Sequence, residues 1–156
     1  MRFMAGEFYR VDSESEPKIV HYPDKIETEG IGPCMAVGIL NHGTRQGYLG
    51  HYVGWDTSSQ TLVDRAISEA KKIGDLEVAL AGNIPPSRED ARSYGVNFEE
   101  ILEFHKAHGR WALQMVRSKG IKRIQNYLQD DPSKHSYEVV VDTEKRKIEV
   151  RKKEET

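Results

Sequence analysis

Short apolar runs separated by glycine, proline and acidic clusters dominate this chain, the pattern of strands joined by tight connections. The polar segment DSESEPK, 12–18, holds a proline and predicts a loop, with short strands in KIVHY and KIET beside it. CMAVGIL, from Cys34, and GYLGHYV, from Gly47, are two strand-length runs with NHGT between them. Gly43 can take a positive φ there, so the pair predicts a β-hairpin. From Thr61 to Ile73 the apolar positions Leu62, Val63, Ala66, Ile67 and Ala70 repeat with helical spacing, and Gly74 supplies a stop. LEVALAG, 76–82, predicts a strand, and NIPPS after it is irregular. Asn97 is placed to cap a second helix, with Glu100 as its capping-box partner. That helix runs from Phe98 toward Lys119, with Gly109 a candidate break. Its stripe of Phe98, Ile101, Leu102, Leu113 and Val116 predicts a core-facing side.

IKRIQNYL follows Lys119-Gly120 and reads as a strand. YEVVVDTEKRKIEV predicts a closing hairpin: Tyr137 to Val141, a turn near Asp142 to Lys145, then Lys147 to Val150. The tail RKKEET is expected to fray. No internal repeat and no linker divides the chain, so the pattern predicts one α+β domain over residues 1–156.

Composition narrows the function classes. Apolar residues make up 37% and charged residues 31% of the 156 positions, polar but within the range of a folded domain. The net charge of −2 argues against a dedicated nucleic-acid or membrane-surface binder. One cysteine makes neither an internal disulfide nor a multi-cysteine zinc site. The start, MRFMAGEFYRVD, has no apolar run of signal-peptide length, and no later run spans a bilayer, so a cytoplasmic protein with no membrane insertion is expected.

The single cysteine, Cys34, follows a loop with Gly30, Gly32 and Pro33. A thiol becomes a useful nucleophile when a base or cation lies within hydrogen-bond reach. If the hairpin turns on His42 and Gly43, Cys34 lies across from His51, with Cβ atoms about 5 Å apart. If it turns one residue later, Cys34 faces Val53 and His51 is diagonal, at about 7–8 Å. A shift of half that size puts the pair on opposite faces. The glycines let backbone approach a substrate, and because Pro33 has no N–H, the nearest oxyanion donor is the Cys34 amide. The competing reading is a buried structural thiol, since free cysteine is among the most buried residue types.

At these residues the chain resembles the chemoreceptor glutamine deamidase family, CheD. TEGIGPCMAV, Thr28 to Val37, is similar to the family's segment around its cysteine. Thr28 lies six residues before Cys34 and His51 seventeen after it, offsets that match the family's threonine, cysteine and histidine. More loosely, TLVDRAISEAKKIG resembles the family's first long helix, LEVALAG the strand after it, and YEVVVDTEKRKIEVRK the closing hairpin. The resemblance implies central, sandwich-like mixed β-sheets with two main helices packed outside. A similar cysteine–histidine arrangement occurs in the deamidating cytotoxic necrotizing factor toxins. It implies Cys34 as nucleophile, His51 as general base and Thr28 as the residue holding the far imidazole nitrogen. It also implies glutamines of chemoreceptor-like proteins as substrate, a CheC-like phosphatase as partner, and no cofactor or metal. The chain departs from the family in 52–56, 81–87 and 130–136, and the stretch from Arg88 to His108 is longer than expected. The alternative is a non-catalytic module of the same fold that docks onto a signalling partner.

Other residues carry weaker signals. His42 is expected to be exposed at a turn tip. His105 and His108 are three apart, as metal ligands can be, but no third ligand is evident. Trp55 and Asp56 either line the cleft or pack beside a turn. The run EKRKIEVRKKEE is expected to be a solvated face.

Overall fold

A computed structural model describes residues 6–154 of the chain; Met1 to Ala5, part of the start read above as lacking a signal peptide, lie outside the described residues. The strands are β1 (Phe8–Arg10), β2 (Lys18–His21), β3 (Lys25–Ile31), β4 (Met35–Asn41), β5 (Gln46–Tyr52), β6 (Leu76–Gly82), β7 (Arg123–Leu128), β8 (His135–Asp142) and β9 (Lys147–Glu154). The helices are α1 (Thr57–Glu69), α2 (Arg88–Ser93) and α3 (Phe98–Ser118), and a short 3-10 turn covers Ile73–Asp75. Among these residues no helix is long and apolar enough to cross a membrane.

The strands form two mixed sheets. The outer sheet has the order β1-β3-β8-β9 and the inner sheet β2-β5-β4-β6-β7. Each holds one parallel pair, β1–β3 and β6–β7. The class is therefore α+β, with α1 and α3 as its two main helices.

Alternation along the inner strands explains the layering. Met35, Val37 and Ile39 of β4 belong to one apolar cluster with Leu62, Val63 and Ala66 of α1 and Ala112 and Val116 of α3. Ala36 and Leu40 face the other way and cluster with Ile26, Val139 and Val141 of the outer sheet. The order is thus helices, inner sheet, outer sheet. Gly47 lets the two sheets approach closely, because a Cβ there would lie 2.9 Å from Val141 Cγ1.

The outer face of the outer sheet is ionic. Glu27 and Glu138, both buried, are paired with Arg10 and with Lys153 and Arg151. The basic tail therefore does not fray where described: β9 pairs with β8 as far as Glu154 opposite His135.

Several boundaries differ from the pattern-based reading, each for a local reason. α1 begins at Thr57 rather than Thr61 because Asp56 and Ser59 form a capping box, Asp56 accepting the Ser59 N–H at 3.0 Å. It ends at Glu69, before Gly74. α2 fills part of the longer stretch after NIPPS, with Ser87 as its N-cap. Asn97 caps α3 by accepting the Glu100 N–H at 3.1 Å. α3 runs unbroken through Gly109, which is buried against Asn83; a Cβ there would lie 2.9 Å from Asn83 Nδ2. The glycine serves close packing rather than a break.

Candidate active site

Thr28 sits on β3 of the outer sheet and faces inward, fully buried. Just beyond it the β3–β8 pairing slips: Thr28 pairs with Val139, but Ile31 pairs with Tyr137. Gly30 lies within this bulge at φ 69°, a conformation open to glycine at little cost. The chain then passes through Gly32 and Pro33 to Cys34, the residue before β4 of the inner sheet. One short loop thus carries the backbone from the threonine's sheet to the cysteine's.

The β4–β5 register follows from Asn41. Its Oδ1 accepts the N–H groups of Gly43 at 2.9 Å and Thr44 at 3.1 Å, and Arg45 takes φ 58°. The result is a four-residue loop centred on Gly43 and Thr44. Ala36 then pairs with His51 and Met35 with Tyr52. This is the later of the two registers weighed above. His51 therefore stands opposite Ala36, and Cys34 immediately precedes the β4 ladder, one residue before Met35.

His51 reaches toward the outer sheet. Its Nδ1 lies 3.0 Å from Thr28 Oγ1, and both residues are buried. With Thr28 accepting from Nδ1–H, the lone pair rests on Nε2. Cys34 is half-buried, and its thiol has no hydrogen bond to His51 or to any other described residue. Its backbone is clamped: the Cys34 carbonyl accepts the Asn83 N–H at 2.8 Å, and the Gly32 carbonyl accepts the Ile84 N–H at 3.0 Å. Gly82, at φ 102°, makes room for this clamp, since a Cβ there would lie 2.3 Å from the Cys34 carbonyl oxygen.

Burial pushes the Cys34 thiol above its ordinary value of 9.0. Burial also pushes His51 below its ordinary 6.5, opposed by the Asp12 carboxylate. Both shifts favour uncharged groups. At neutral pH these directions correspond to a thiol and a neutral imidazole.

The remaining candidates have structural partners. His42 is half-buried rather than exposed, its Nε2 2.8 Å from Glu77 Oε1. His105 Nδ1 donates to the Asn83 carbonyl at 3.1 Å, and Asn83 Nδ2 donates to the His105 carbonyl at 2.7 Å. His108 Nε2 accepts the Trp55 N–H at 2.5 Å. The two histidines thus tie α3 to opposite flanks of the site. Trp55 is buried in the core and Asp56 caps α1. Along α3, Val116 is core, whereas Ile101 lines an open cleft beside Gly32 and Pro33.

Two neighbours were missed by sequence reasoning. Asp12 belongs to a segment read only as loop, and nothing in DSESEPK marks its charge as acting on His51. Asn83 did carry a signal, an asparagine after a glycine, and it adopts φ 60°.

No family model and no curated protein matches the chain.

Proposed function

We propose that the protein is a cysteine-dependent deamidase of protein glutamine side chains, working through Cys34, His51 and Thr28. The observation that carries this reading is the Thr28–His51 hydrogen bond of 3.0 Å, joining residues from two different sheets. These are two of the three residues that the CheD-like spacing singles out, and the third, Cys34, immediately precedes β4, the strand paired with that of His51.

Cys34 Sγ attacks the carboxamide carbon while His51 Nε2 takes the thiol proton. The oxyanion forms near the Cys34 N–H. His51 passes the proton to the nitrogen, the C–N bond breaks, and ammonia leaves a thioester. Water, deprotonated by His51, then attacks the thioester; glutamate is released and the thiol is restored. Thr28 holds the imidazole in the tautomer that this sequence needs. The resemblance further proposes chemoreceptor-like proteins as substrates, a CheC-like phosphatase as partner and the cytoplasm as location. The departures at 52–56, 81–87 and 130–136 cover strand ends and the loops joined to them, and loops are where substrate and partner choice is usually set.

The test is ammonia release from glutamine peptides, with the mass gain of an amide-to-acid change, by wild type and Cys34→Ala. Activity in the wild type alone supports the reading. Equal activity in both removes Cys34 as nucleophile.

A second reading, a non-catalytic docking module, is favoured by the upward shift of the Cys34 thiol and its lack of a hydrogen bond to His51. It expects no glutamine turnover, and thiol alkylation that does not change when His51 is replaced by Gln. The deamidase reading expects that replacement to slow alkylation by iodoacetamide near neutral pH.

A further inference from the structure

The cleft beside the cysteine loop has a volume of about 640 Å³, within the range of about 300–1,000 Å³ found for sites that bury small ligands. It is assembled from three distant parts of the chain: the cysteine loop, the segment from Ile84 through the start of α3, and the β7–β8 connection. These include parts of two of the stretches, 81–87 and 130–136, where the chain departs from the CheD pattern.

Its walls have a definite chemistry. Pro33, Pro85, Pro86 and Pro132 line it, and none has an N–H to offer. Those prolines cannot donate to a peptide backbone as a sheet edge does, which weights recognition toward side chains. Their fixed φ angles hold the shape before anything binds. Ile84, Val96 and Ile101 add apolar surface. Tyr94 and Val96 are large apolar groups left 73% and 45% exposed at this cleft. Asp90 and Lys134 are its two formally charged side chains, and they cancel. Such a site favours a neutral apolar group over a charged one.

Position fixes what that group belongs to. Gly32 and Pro33 are two and one residues from Cys34, at most about 7 Å of chain. Cys34 does not itself line the cleft, but a side chain held against Gly32 and Pro33 lies beside the loop that carries it. We propose that the cleft binds an aliphatic or aromatic side chain of the substrate polypeptide, one to three residues from the target glutamine. It thereby selects which glutamines reach the thiol. The proposal rests on the deamidase reading and names its substrate class: glutamines with an apolar neighbour in an accessible segment.

The experiment uses short synthetic peptides with one glutamine and Leu, Phe, Gly, Glu or Lys placed one, two or three residues to either side. Ammonia release is measured for wild type, Tyr94→Ala and Val96→Asp. In parallel, binding of the Leu and Gly peptides to Cys34→Ala is measured by calorimetry, with and without Val96→Asp. The expected result is a kcat/KM for the Leu or Phe peptide about 10-fold or more above that for Gly. Both surface variants should erase that preference through KM. Turnover with no apolar preference, or with a preference intact in both variants, overturns the cleft proposal and leaves the deamidase reading standing. No turnover, but selective Leu-peptide binding by Cys34→Ala that Val96→Asp abolishes, overturns the deamidase reading and retains the cleft. Neither turnover nor selective binding overturns both.

Discussion

Thr28 and His51 share one hydrogen bond of 3.0 Å in a buried layer, where an orphaned polar atom costs about 1–3 kcal/mol. Thr28→Val keeps the side-chain shape and removes the hydroxyl. It is expected to lower the unfolding free energy by about 1–3 kcal/mol in urea titrations. On the deamidase reading it also lowers kcat, and Thr28→Ser restores both. The thiol makes a separate prediction. Because burial raises its pKa above 9.0, iodoacetamide alkylation at neutral pH is expected to be slower than for a free cysteine peptide. The rate should climb on the alkaline side; a rate at pH 7 matching or exceeding the peptide's would contradict the raised value. At this scale the sequence singled out Thr28, Cys34 and His51, and the structure brings the first and last into a hydrogen bond. It was silent on Asp12, whose nearness to His51 depends on how the β1–β2 loop folds back.

Helices and strands were legible wherever periodicity was strong, as in β6 and the second half of α3, and less so at their ends. The hairpin register shows why. His42–Gly43 and Gly43–Thr44 are both reasonable turn centres, and the choice rests on the side chain of Asn41, which no periodicity encodes. The β8–β9 hairpin repeats this construction: Asp142 Oδ1 accepts the Lys145 N–H at 2.9 Å, and Arg146 takes φ 56°. Gly109 was misread for a similar reason. Its role depends on Asn83, far away in sequence but 2.9 Å from where a Cβ would stand. Gly109→Ala is therefore expected to destabilise the protein by about 1–3 kcal/mol, more than the gain of about 1 kcal/mol in helix propensity. Gly74→Ala meets nothing within 4 Å and is expected to be neutral or stabilising by up to about 1 kcal/mol. Thermal melts of the two variants check the contrast; a Gly109→Ala protein as stable as wild type would show that Asn83 yields easily.

For the molecule as a whole, three imidazoles make stability depend on pH. Burial lowers the pKa values of His51, His105 and His108 below the ordinary 6.5. The unfolded chain therefore takes up protons first as pH falls, and the folded state loses ground below about 6.5. Above that pH all three are neutral in both states and their contribution is complete. The urea midpoint is expected to fall from pH 7.5 to pH 5, and a His105→Gln variant should show a shallower drop; an identical slope would clear His105 of any share. Globally, the α+β class could be read from the sequence, but the apolar cleft could not. Its walls come from 32–33, 84–105 and 132–135, stretches brought together only by the finished fold. One arrangement has a consequence for the life of the chain. The hydroxyl and the imidazole arrive on separate sheets, so an immature molecule whose sheets have not yet docked holds a cysteine without an oriented base. On the deamidase reading such a nascent chain is harmless to its neighbours: reactivity waits on the docking of the two sheets.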